Sequence, residues 1–138
     1  MNCYTYNDLT IGKEEEFEIE ITQDMMSKFL SITGDINPLH NDVQFANEHG
    51  YDQKVVYGML TASFLSTLVG VYLPGKNCLI QSVDLNFVRP VYVGDILHVV
   101  GRIIELNDTV KQIVLKVDIT NQSGIKVLRG KMKTGVLE

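Results

Sequence analysis

The sequence predicts an α+β domain with an antiparallel sheet, and three observations carry that reading. A lone strand-like run near the N-terminus is followed by two or three helical segments, and the remainder is strand-like runs separated by hairpin-type turns. One of the helical segments is apolar on nearly every side. No repeat, low-complexity tract or linker interrupts the chain, so its 138 residues form a single domain, 1–138.

In chain order, "FEIEI" from Phe17 to Ile21 alternates apolar and acidic side chains, as a half-exposed strand does. Thr22 then fits the N-cap of a helix with Asp24 in its first turn and Met25, Met26, Phe29, Leu30 and Ile32 at helical spacing. Gly34 ends it. Pro38 disfavours helical geometry at Asn37, which makes "GDINPLH" an irregular turn, followed by a short helix from about Asp42 to His49 closed by Gly50. The apolar helix runs from Gly58 to Leu73 and stops at Pro74 and Gly75. Its only polar residues are small, so it is expected to be buried all round as the central helix of the core. Alternating runs around Leu79–Phe87 and Gln112–Thr120 are strands, with turn signals at Val93–Asp95, Leu106–Asp108 and Asn121–Gly124. A sheet covering one long apolar helix wraps around it, and so apolar a helix is also expected to meet a second copy in a homodimer or higher homo-oligomer.

Composition narrows the function classes. A net charge of −5 without a clustered basic face argues against a nucleic-acid partner. Cys3 and Cys78 lack metal or redox spacing, which suits reduced structural thiols in the cytoplasm. The N-terminus shows no basic start followed by an apolar run, and no window has the roughly 18 apolar residues of a membrane span, so neither export nor a membrane role is expected.

Chemistry concentrates in "ITGDINPLHND". Asp35 and His40 lie five apart across a proline-containing turn, and neither helix nor strand periodicity would place them on one face, so the turn must converge them. Together a carboxylate and an imidazole can hold a water and move protons both ways, provided burial raises the carboxylate towards neutrality. The plainer alternative is a turn-capping Asp35 and a packed, hydrogen-bonded His40. A calcium loop starting at Asp35 and Asn37 fails, with Leu39 at its fifth position, His40 where glycine is needed and Ala46 where a glutamate belongs. His49 and His98 lie on unrelated elements, so no zinc triplet is readable and no metal is expected. Gly58 opens the apolar helix, where its N–H is free to meet a carbonyl oxygen, as in an oxyanion site; a glycine that merely permits helix entry is the alternative. Ser63 and Ser66 most simply bond back to their own helix.

"FLSITGDINPLHNDVQFA", "VVYGMLTASFLS" and "LNFVRPVYVGD", in that order and spacing, resemble the MaoC-like (R)-specific enoyl-CoA hydratases of the hot-dog fold over about residues 13 to 134. The resemblance implies that Asp35 and His40 hold the water added to a trans-2-enoyl thioester, with Asn37 inside their turn. It also implies that the Gly58 N–H meets the thioester carbonyl and that Ser66 shapes the polar site. No separate cofactor is implied, since coenzyme A or an acyl carrier protein is the substrate's own handle. The family commonly has histidine before that glycine, where this chain has Tyr57, so contacts to acyl chain or pantetheine are expected to differ. Met59, Phe64 or Leu65 would limit the acyl tunnel, and Arg89 would meet coenzyme A phosphates or stay solvated. The hot-dog fold also carries thioesterases, and a non-catalytic acyl-thioester-binding subunit is a third possibility.

Overall fold

The computed structural model describes residues 1–137. After a 3-10 turn at Tyr6–Asp8, the chain forms β1 (Glu14–Glu20), α1 (Gln23–Thr33), α2 (Pro38–Asn41), α3 (Val43–Glu48) and α4 (Gly58–Thr67). Four strands follow: β2 (Cys78–Phe87), β3 (Ile96–Asn107), β4 (Gln112–Thr120) and β5 (Lys126–Val136). They make one antiparallel sheet in the order β1-β3-β4-β5-β2. The chain is α+β with an antiparallel sheet against a central helix, the hot-dog arrangement.

The inward alternation of β4 sets the core, for Ile113, Leu115, Val117 and Ile119 are all fully buried. From α4 and the turn beyond it, Leu60, Leu65, Leu68 and Val69 join the same cluster, as do Leu97, Val99, Leu128 and Met132 from the neighbouring strands. Each fully buried leucine contributes about 2 kcal/mol.

Local signals place the helix ends. The Thr22 hydroxyl accepts from the Met25 N–H, and Gly34 closes α1 in the left-handed region at φ 68°. Around Pro38 the chain is more regular than expected, because proline at the first helical position sacrifices no hydrogen bond and Asn37 caps the one-turn helix α2. The apolar helix departs from the sequence reading in two ways. It does not continue to Leu73 as one α-helix but loosens into a π turn over Leu68–Tyr72, which the Leu73 N–H closes onto the Leu68 carbonyl at 2.9 Å. Nor is it buried all round within one chain, since Met59, Ser63, Ser66 and Thr67 form an exposed stripe. Nearly all of β2, an edge strand, is exposed as well, including Leu79, Ile80, Val83 and Phe87. A residue slip between Ile80 and Ser82 breaks its alternation.

Cys3 is exposed, whereas burial pushes the Cys78 thiol up to about 11 and leaves it inert at neutral pH. Among the described residues no helix is long and apolar enough to cross a membrane, and no three His, Cys, Asp or Glu side chains converge.

Candidate active site

Between α1 and α3 the backbone is held by its own short polar side chains. Asp35 Oδ1 accepts from the Asn37 N–H (3.1 Å), Asn37 Oδ1 from the Leu39 N–H (2.9 Å), and Asp42 Oδ1 from the Gln44 and Phe45 N–H groups. Thr33, its hydroxyl donating to the Phe29 carbonyl, accepts from the Asp35 N–H at 3.2 Å. The extended segment ahead of α4 is pinned on both sides, Val55 N–H to the Leu39 carbonyl and Val56 N–H to the Val91 carbonyl. The turn and the mouth of α4 are thereby joined.

His40 Nδ1 lies 2.6 Å from the Val55 carbonyl oxygen. A carbonyl can only accept, so Nδ1 carries a proton, which in the neutral tautomer leaves the lone pair on Nε2. Gly58 is the first residue of α4, no side chain caps that helix, and its N–H therefore has no intrahelical acceptor. The positive end of the helix dipole lies at this point.

Asp35, His40 and Gly58 line one cleft of about 290 Å³, with Phe29, Tyr57, Met59 and Phe87 around them. A second cavity of similar volume, about 290 Å³, shares His40, Gly58 and Phe87 and extends past Thr61 and Val91 to Arg89. The imidazole and the helix amide thus stand where the two spaces meet. At Gly58 a Cβ would come within 3.2 Å of the Phe87 ring, so only glycine leaves the junction open without moving that ring.

The other residues singled out in the sequence fall in different places. Met59 lines the first cleft and is largely exposed. Arg89, exposed at the rim of the second cavity, donates to its own neighbour's carbonyl at Val88. Asn37 shapes the turn and lines neither cavity. Phe64 packs against the core and Ser66 lies on the exposed stripe of α4; neither lines these cavities. Tyr57 is only 2% exposed; it lines the first cleft, and its hydroxyl donates to the Asp35 carbonyl in the turn. The burial expected around Asp35 is absent within one chain, because the turn that carries it lies on the surface.

Sequence reasoning missed three participants. Phe87 lines both cavities but reads as one more apolar strand residue. The buried Thr61 hydroxyl lines the second cavity and has no hydrogen-bond partner among the described residues. Asn41 donates to the carbonyls of Asp35 and Asn37; its position four residues after Asn37 was the available signal.

The sequence matches the model of the MaoC like domain over residues 7–130. It is 36% identical over 101 residues to a 3-hydroxybutyryl-CoA dehydratase of Methylorubrum extorquens, covering 73% of this chain and 64% of that relative, just under two thirds. It is 30% identical over 122 residues to an (R)-specific enoyl-CoA hydratase of Aeromonas caviae, covering 88% of this chain and 91% of that one. Among solved structures, an unliganded R-hydratase from Pseudomonas aeruginosa superposes with a TM-score of 0.90 at 27% identity, over 97% of this chain and 86% of that chain. With the family's model spanning both the polar turn and the mouth of α4, the chain belongs to the MaoC-like domain family.

Proposed function

We propose that the protein is a hydro-lyase that adds water reversibly across the double bond of trans-2-enoyl thioesters, an (R)-specific enoyl-CoA hydratase or 3-hydroxyacyl thioester dehydratase. The observation that carries this reading is the single cleft shared by an imidazole anchored through Nδ1, a carboxylate and a free helix-terminal amide. The relatives named above support it.

In the forward direction the Gly58 N–H receives the thioester carbonyl oxygen and stabilises the negative charge that develops there. Water held by Asp35 and His40 attacks C3, giving a proton to His40 Nε2 as the new C–O bond forms and the C2=C3 π electrons move towards the carbonyl. The resulting enolate collapses and takes a proton at C2 from the pair, restoring the resting charge. Dehydration is the same path reversed. Coenzyme A or an acyl carrier protein serves only as the handle of the substrate.

Incubation with a short trans-2-enoyl-CoA is expected to bleach the conjugated absorbance and release no thiol. Thiol release would make the protein a thioesterase instead, and binding without turnover a non-catalytic subunit.

The exposed stripe of α4 and the exposed apolar residues of edge strand β2 support a homodimer in which a second copy covers both. Light scattering should give twice the chain mass of 15.5 kDa. The mass of a single chain would refute the dimer. Within that dimer the partner would also enclose the cleft wall at Met59 and Phe87, and the cytoplasm is the compartment that fits a reduced Cys3.

A further inference from the structure

We propose that Tyr57 is a positioning residue: its ring borders the cleft, but its hydroxyl acts on the turn, holding both halves of the acid/base pair in register. The proposal rests on the hydratase reading given above. Four contacts converge on this one side chain. Its hydroxyl donates to the main-chain carbonyl of Asp35 at 2.9 Å, across 22 residues of sequence. The same oxygen receives the Asn41 Nδ2–H at 3.2 Å, and that amide also reaches the Asn37 carbonyl at 3.0 Å. Its ring lies against the His40 imidazole, centroids 4.3 Å apart at 34°, and against Phe29 at 4.9 Å.

Asp35 needs such a tie because nothing else long-range fixes it. Its other bonds are all to residues within six positions, and they shape the turn without anchoring it to the body of the protein. The Tyr57 hydroxyl ties the turn to the residue immediately before Gly58, so one short segment carries both the oxyanion amide and the tie to the Asp35 main chain. The ring supplies the third element: His40 is held at one edge by the Val55 carbonyl and on one face by Tyr57, which leaves Nε2 a fixed direction. Tyrosine suits the site because the phenol reaches a carbonyl while its ring remains in the core.

Tyr57→Phe keeps the ring and removes the tie. We expect kcat on a short enoyl-CoA to fall about tenfold, the factor that one net hydrogen bond is worth, with KM changed less than about twofold. A readout independent of turnover is backbone hydrogen exchange over residues 34–42, which should quicken by about tenfold while the sheet is unaffected. Asn41→Ala, which leaves the Tyr57–Asp35 tie in place and removes only Asn41's own bonds to that hydroxyl and to the Asp35 and Asn37 carbonyls, is the control and should change both readouts less than Tyr57→Phe does; an equal or larger change would overturn the proposal. A raised KM at unchanged kcat in Tyr57→Phe would mean that the hydroxyl contacts substrate, and unchanged exchange over residues 34–42 would mean that it does not hold the turn; either overturns the proposal. If the wild-type protein hydrates nothing, the hydratase reading fails while the exchange result still decides whether Tyr57 holds the turn.

Discussion

Asp35→Asn is expected to lower turnover on a trans-2-enoyl-CoA by at least about 100-fold, as loss of an acid/base group does, while leaving the fold almost untouched. The separation of the two effects follows from the local structure. Asp35 is exposed, and Oδ1 accepts one bond, from the Asn37 N–H, within its own turn. Asparagine keeps that oxygen, so the turn and α2 stay formed and the urea midpoint should correspond to a change within about 0.5 kcal/mol. What the amide cannot do is hold or return a proton. A variant within tenfold of wild-type turnover would take Asp35 out of the chemistry.

The second large effect concerns the sheet. Gly130 lies in β5 opposite Val117 on one side and Leu85 on the other. A Cβ there would overlap the Asp84 carbonyl oxygen and come within 2.8 Å of Leu85 Cδ2. The neighbouring backbone cannot yield by rotating a side chain, so Gly130→Ala must push β2 away from β5. We expect about 3 kcal/mol of destabilisation, at the upper end for an overpacked interior. Because β2 is the edge strand and carries Phe87 at its end, the loss should fall first on the cleft and on the proposed dimer face. Urea denaturation with the oligomer mass measured in parallel would check this. Wild-type stability would show that the two strands have more room than the structure gives them.

Sequence alone revealed what depends on neighbours in the chain. The alternation of Ile113, Leu115, Val117 and Ile119 marks the inner face of β4, and Thr22 and Gly34 bound α1, because each signal acts within a turn or a strand. Asp35 and His40 stood out for the same reason, since proline and the short polar side chains shape that turn locally. Other features were hidden because they arise between distant segments. Nothing around Tyr57 announces that its hydroxyl meets a carbonyl 22 residues earlier, and Phe87 becomes a cleft wall only once β2 has paired with β5. Hydropathy made α4 look buried on every side, yet hydropathy does not say which molecule covers which face. The exposed stripe through Met59, Ser63 and Ser66 is where one chain alone leaves the helix bare.

The central physical statement is that a carboxylate and an imidazole act as one unit on a single water facing the Gly58 amide. A double-mutant cycle with Asp35→Asn and His40→Gln measures it most directly. Each single variant should lose at least about 100-fold in kcat, and the double variant should lie within about threefold of the worse single one, as residues of one catalytic unit do. Losses that multiply in the double variant would show two groups working independently, and that result would contradict the mechanism.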